Sequence, residues 1–343
     1  MCDDDASLQV TGHGSRVTPL IPIRTLTLFA ALLLACASHA ALAQAYPSKA
    51  VRLIVPFPAG GGSDIVGRIM AQRLTEQMKQ QVFVDNRGGA GGSIGTEAAV
   101  KSAPDGYTMV LASTSEIGVN PALYTRLTYD TVRDLAAVAM VASTPVVVVV
   151  HPSMPVKTVK DLVALAKGRP GEINVASAGN GTFTHLSSEL FRSTANIKWT
   201  HVPYKGAPTA LGDVVSGQVQ VMFSSLPAAV GIINGGRLKA LAVSTVKRSD
   251  ALPEVPTVME SGVPGYEVLY WYGLFVPAAT PREIVDRLHN EIAQALRVQD
   301  VISNLAKQGA TPGTLSQPQF ADFVKSEVAK WGKVVRESGA KVD

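Results

Sequence analysis

The chain has 343 residues, 46% of them hydrophobic and 17% charged, which suits about two globular domains of ordinary size and argues against a disordered chain. The formal net charge of +4 comes from scattered lysines and arginines with no run of five, and only 6% of residues are aromatic, so the composition speaks against nucleic-acid binding. A mild positive field favours anionic small molecules over cationic ones, an effect that salt screens.

The first predicted element is an export signal. Arg24 precedes the apolar run TLTLFAALLLACASHA, and Ala41-Leu42-Ala43 fits the small-x-small cleavage rule, which makes Gln44 the first mature residue. The run is short for a membrane span. Residues 1–20 precede the usual charged start and read as an over-long leader or a misplaced translation start. A second reading takes Leu33-Leu34-Ala35-Cys36 as a lipoprotein signal that leaves Cys36 lipidated, in competition with the Ala-Leu-Ala site just downstream. Both cysteines, Cys2 and Cys36, lie in the leader, so a soluble mature chain has no disulfide and no thiolate metal site. The expected destination is the periplasm.

Short β-branched runs then alternate with amphipathic helical patterns. Strands are predicted at 51–57, 81–86, 107–113, 145–152, 172–178, 199–204, 219–225, 238–244 and 269–277. Helices are predicted at 63–79, 93–102, 158–167, 182–194, 207–216 and 226–234, followed by a helical tail from 281. This alternation predicts an α/β fold with parallel-rich sheets flanked by helices. Two stretches, VASTPVVVVVHPSMP and YEVLYWYGLFVP, read as hinge strands between two lobes. The division is then residues 46–145 plus 270–343 for lobe 1 and 146–269 for lobe 2, after a leader at 1–43. The alternative is two ordinary core strands in one large sheet.

Two loops share one grammar. The stretch VPFPAGGGSD runs from a strand through Gly60, Gly61 and Gly62 into a helix, with Ser63 as a candidate N-cap and Asp64 in the first turn. Ligands of open α/β sheets bind at such strand ends, where free N–H groups point outward. The loop has no lysine or arginine, so a carboxylate suits it better than a phosphate. The second loop, Gly179-Asn180-Gly181-Thr182, again leads from a strand into a helix, with Thr182 as candidate cap and His185 one turn in. Two such loops, one per lobe, make a clamp for a small anion; taken singly, each is also an ordinary turn.

The ordered set VPFPAGGGSDIVGRIMAQRL, VDNRGGAGGSIGTEAA, PDGYTMVLAST, SAGNGTFTHLSSELF, VPYKGAPTALGDVVSGQVQVMFSSLP and LPEVPTVMESGVPGYEV resembles the solute-binding proteins of tripartite tricarboxylate transporters, the Bug-type or TctC-like receptors. The resemblance runs from Tyr46 to the tail. It implies a two-lobed periplasmic binding protein, type II-like, that delivers a carboxylated solute to a large and a small membrane subunit. The solute classes implied are dicarboxylate, tricarboxylate, amino acid or aromatic acid. It further implies a monomer, no cofactor, no catalysis and, as an alternative role, presentation of the solute to a membrane sensor. The implied site is Phe57, Ala59, Gly60, Gly61, Gly62, Ser63 and Asp64 with Ser113 and Thr114 on one lobe. On the other it is Ser177, Gly179, Asn180, Gly181, Thr182 and His185 with Tyr204 and Lys205. Two departures stand out. Ser224-Ser225 replaces a family acid after the GQV motif, which leaves a more neutral cleft, and Gly88-Gly89 follows Arg87 where the family often has proline.

Three other patterns carry less. Gly91-Gly92-Ser93-Ile94-Gly95 matches the nucleophile elbow of serine hydrolases, although Ser93 also suits a helix N-cap. The mature histidines, His151, His185, His201 and His289, lack metal-ligand spacing, so no metal is expected. The run Tyr270-Trp271-Tyr272 reads as core and hinge packing rather than as a stacking platform.

Overall fold

Val51–Val55 (β1) is buried at every position except Arg52, as a strand with helices over both faces must be. It opens the part of the chain that the computed structural model describes, residues 46–338; the expected signal, leader and lipidation site lie outside the described residues. Helix α1 (Gly62–Met78) returns the chain to β2 (Val82–Asn86), and α2 (Ser93–Val100) leads to β3 (Thr108–Ser113). A π-helical turn, Thr114–Val119, and the short α3 (Asn120–Leu123) follow.

Strand β4 (Leu135–Val150) is sixteen residues long and passes through both halves of the sheet. Its first part pairs antiparallel with β9 (Leu269–Pro277), and its last five residues pair antiparallel with β7 (Val221–Ser225). The second half is completed by α4 (Val159–Gly168), β5 (Asn174–Ser177), α5 (Phe183–Thr194), β6 (Thr200–Pro203), α6 (Ala207–Val215), α7 (Leu226–Asn234) and β8 (Lys239–Val243). The tail folds as α8 (Arg282–Ala295), α9 (Gln299–Lys307), β10 (Thr311–Pro312) and α10 (Gln317–Ser338). Strand order is β2-β1-β3-β9-β4-β7-β5-β6, with β8 and β10 also on β4.

Each half has parallel pairs, β1 with β2 and β3, and β5 with β6 and β7. The two crossing strands run antiparallel to their neighbours, which makes the whole sheet mixed. Pro145 of β4 pairs with Leu269 of β9 where the chain passes between halves. Each half carries its own core. One is built on Ile54, Val110, Trp271, Phe275 and Phe320, the other on Val147, Val149, Met222, Leu226 and Val243. Burying such side chains contributes about 1.5–3 kcal/mol apiece.

Three local expectations are corrected. Helix α1 is capped by Gly61 and α2 by Gly92, so neither Ser63 nor Ser93 is an N-cap. Strand β4 begins ten residues before the predicted 145 because LAAVAMVAS, mostly alanine and valine with no polar alternation, is buried on both faces. The helical tail is three helices and a two-residue strand.

Candidate functional site

The first loop is held by an acid. Asp64 accepts from the Gly60 N–H at 2.9 Å, from Arg68 Nε at 2.9 Å and from Asn86 Nδ2 at 3.0 Å. Asn86 Nδ2 also donates to the Phe57 carbonyl at 3.0 Å, which ties the entry of the loop to the same carboxylate. Burial works against the charge on Asp64, but the bonds from Arg68, Gly60 and Asn86 hold its carboxyl below the ordinary range. Asp64 therefore shapes the loop. Gly60 takes φ +81°, a conformation glycine adopts without a Cβ penalty.

The second loop is held by two histidines. Gly181 N–H donates to His185 Nδ1 at 3.1 Å, and Ser177 Oγ lies 2.7 Å from His201 Nε2. The two imidazoles stack with centroids 3.8 Å apart. Burial pushes both down to about 4, aided by Arg192 at His185 and by His185 itself at His201, so His185 is neutral near pH 7 and can accept the Gly181 bond. Thr182 starts α5, but its hydroxyl donates back to the Gly179 carbonyl at 2.8 Å and does not cap the helix.

An inner cavity of about 30 Å³ lies where the halves meet. From the expected residues it collects Phe57, Gly61, Gly62, Ser63 and Thr182. It adds Ser115 from the π turn, Phe183 and Thr184 from α5, Ser225 from the end of β7 and Tyr270 from β9. The ends are in contact across it: Phe183 N–H donates to Ser115 Oγ at 3.0 Å, and the Phe183 ring stacks on Tyr270 at 4.5 Å. A Cβ on Gly62 would come within 2.6 Å of Tyr272 Oη and closer still to Ser225 Oγ, so only glycine permits this approach.

Beside it lies an outer pocket of about 520 Å³. Gly179, Asn180, Tyr204 and Lys205 line it from one side and the Gly88–Gly92 loop from the other, while Phe57, Pro58 and Ala178 border both spaces. The Tyr204 hydroxyl donates to Asp213 at 2.8 Å, and its own proton is held up to about 12 by burial and by that bond.

The remaining expected residues line neither space. Ala59 and Gly60 lie exposed at the rim. Asp64, Ser177, Gly181 and His185 brace the loops as described. Thr114 is fully buried and accepts from the Trp271 N–H at 3.2 Å, and Ser113 is buried against Glu116 and Tyr270. Ser225 was findable, because VQVMFSSLP has the same strand-to-helix ending as the two loops. Tyr270 was read as packing; Trp271 does pack in the core, whereas its neighbour faces the cavity. Ser115 had no signal, since a lone π turn has no visible period.

Ser93 opens α2 and its hydroxyl donates to the Ala90 carbonyl at 2.8 Å. Among the described residues the four histidines, His151, His185, His201 and His289, are bonded to Ser153, Gly181, Ser177 and the Val138 carbonyl, and none is hydrogen-bonded to Ser93. Among the described residues no cluster of three His, Cys, Asp or Glu could hold a metal ion, and no helix is long and apolar enough to cross a membrane.

Two sheet halves joined by crossing strands, with paired strand-end loops facing across a cleft, define a two-lobed solute-binding protein of the type II-like periplasmic class. The family model for the tripartite tricarboxylate transporter family receptor matches residues 66–340, and the chain belongs to that family. It is 38% identical over 301 residues to the protein BugT of Bordetella pertussis, covering 88% of this chain and 92% of BugT. Among solved structures it is similar to R. palustris Rpa4515 with adipate, with a TM-score of 0.84 and 36% identity over 87% of this chain and 100% of that one. It is also similar to MatC (Rpa3494) from Rhodopseudomonas palustris with bound malate, with a TM-score of 0.80 and 31% identity over 84% and 100%.

Proposed function

We propose that this protein is a periplasmic receptor that closes on a small carboxylated solute and delivers it to the large and small membrane subunits of a tripartite transporter. The observation that carries the reading is the wall of the inner cavity. Gly62–Ser63, Phe183–Thr184, Ala207–Pro208 and Ser225 stand at the starts of α1, α5, α6 and α7, so four helix N-termini converge there. Helix N-termini present unpaired N–H groups and a partial positive charge, and both favour an anion. Among the described residues no charged side chain lines the cavity, and hydroxyls of Ser63, Ser115, Ser225 and Tyr270 supply further donors.

The volumes favour an elongated acid. About 30 Å³ accommodates a carboxylate head, and the rest of the solute extends into the outer pocket toward Asn180 and Lys205. Adipate and malate, held by two related proteins, are acids of this kind. With Ser224 and Ser225 in place of an acid, the cleft offers no carboxylate for an ammonium group, so a dicarboxylate or tricarboxylate suits it better than an amino acid. In this reading the lobes are 46–145 with 270–343 and 146–269, hinged where Pro145 pairs with Leu269, and the receptor works as a monomer.

The test is thermal unfolding of residues 44–343 against a panel of carboxylates, after unfolding and refolding to strip any retained solute. At 100 times its dissociation constant a ligand adds about 2.7 kcal/mol, which for a chain of about 300 residues raises the midpoint by roughly 4–5 °C. Such a rise with one or two acids supports the receptor; no rise with any acid contradicts it.

A further inference from the structure

One acid stands behind the cavity wall. Glu116 lies in the π turn Thr114–Val119, completely buried, and its Oε2 accepts from the Ser113 N–H at 3.1 Å and bonds the Ser113 hydroxyl. Ser113 Oγ is in turn 2.7 Å from Tyr270 Oη, and Tyr270 lines the cavity. The carboxyl thus reaches the cleft through two hydroxyls. Its other oxygen, Oε1, is buried without a hydrogen-bond partner, a costly state for a carboxylate and a tolerable one for a neutral acid.

The titratable groups within electrostatic reach of Glu116 are Tyr270 and Tyr272 of β9 and Tyr129 from the segment before β4, and burial keeps all three protonated. Gly92 of the glycine loop lies so close that a Cβ there would come within 2.6 Å of Glu116 Cγ. Behind the turn, a Cβ on Gly118 would meet Trp331 of α10, whose Nε1 donates to Glu327 at 3.0 Å; Lys330 pairs with that same Glu327. Among the described residues no Lys, Arg or His is ion-paired with Glu116.

We propose that Glu116 is a positioning residue for the solute: its proton sets the direction of the Ser113 and Tyr270 hydroxyls, and a carboxylate binds together with one proton held on Glu116. With Glu116 protonated, it donates to Ser113, Ser113 donates to Tyr270, and the Tyr270 hydroxyl points its hydrogen at the incoming carboxylate. With Glu116 ionised the chain reverses, Tyr270 donates to Ser113, and lone pairs and a buried negative charge meet the anion. No covalent bond changes, and the proton comes from solvent. Burial pushes the carboxyl up to about 7, so both states are within reach near neutral pH. This deepens the receptor reading and rests on it.

Calorimetric titration of the mature chain with adipate, malate and benzoate from pH 6 to pH 8, in buffers of different ionisation enthalpy, tests it. If only the protonated form binds, affinity falls about tenfold over that range, in proportion to the competent fraction, and proton uptake approaches one at pH 8. Glu116→Gln keeps a donor to Ser113 and is expected to bind with flat affinity and no uptake. Infrared spectra supply a readout independent of solute: the protonated carboxyl stretch seen in wild type at pH 6 is absent from Glu116→Gln. Binding with flat affinity and no uptake in wild type, uptake that survives in Glu116→Gln, or an ionised Glu116 at pH 6 would overturn the relay and leave the receptor standing. Failure of every acid to bind at any pH would overturn both.

Discussion

The Phe183 N–H donates to Ser115 Oγ at 3.0 Å, joining the first turn of α5 in one half of the molecule to the π turn after β3 in the other. Because its two ends belong to different halves, in the receptor reading it bears on the open-closed equilibrium more than on the stability of either half. Ser115→Ala is expected to weaken solute binding by about 2- to 12-fold, the worth of one net hydrogen bond, with little change in unfolding of the solute-free protein. Calorimetry and urea denaturation on the same variant check both parts.

Gly62 and Gly95 separate closure from folding. A Cβ on Gly62 strikes the Ser225 hydroxyl of the other half and the tip of Tyr272 in its own, both side-chain ends, whereas one on Gly95 lies 2.6 Å from the Arg87 backbone carbonyl within a single half. Gly62→Ala is therefore expected to abolish the solute-induced rise in unfolding temperature and to lower the solute-free midpoint less than Gly95→Ala does, since side-chain ends give way more readily than backbone and alanine is favoured over glycine in helices by about 1 kcal/mol. Gly95→Ala is expected to lower the solute-free midpoint itself. Identical behaviour of the two variants would refute the distinction.

The stacked pair His185 and His201 makes acid destabilising. Both are held down to about 4 from an ordinary 6.5, so between those values the unfolded chain binds more protons than the folded one. Their contribution is complete above about 6.5 and is lost as the pH falls toward 4. Proton-linked stability should drop over that window in wild type and less steeply in His201→Gln, measured by urea midpoints at pH 4.5, 5.5 and 6.5.

Glu116 acts in the opposite sense. Its folded value of about 7 lies above the 4.5 of the free side chain, so the stability it confers is complete below 4.5 and is lost as the pH rises through 7. A shift of that size corresponds to a change of the order of 3 kcal/mol. Glu116→Gln should therefore gain stability relative to wild type between pH 5 and pH 8; parallel stability curves for the two proteins would contradict the assignment.

Much of this architecture was legible before any coordinates. Gly61, Gly62 and Thr182, which line the inner cavity, stood out because two strand-to-helix glycine loops occur in one chain, although either loop alone also reads as an ordinary turn. The bracing roles of Asp64 and His185 were not legible, because their partners Asn86 and His201 lie 22 and 16 residues away in sequence and meet them only through strand pairing and ring stacking. Glu116 was hidden for a related reason. The segment TSEIGV has no period that marks its acid as buried, and only the crossing strand that brings Tyr270 alongside Ser113 covers it.

The central claim is that a carboxylate is held where the four helices begin. A crystal structure of residues 44–343 with the acid that most raises the unfolding temperature tests it directly. One carboxylate is expected in the inner cavity, within hydrogen-bonding distance of Ser63, Ser225 and Tyr270, with the remainder of the solute directed toward Asn180 and Lys205. A solute confined to the outer pocket, or one that places an apolar or cationic end in the inner cavity, would contradict it.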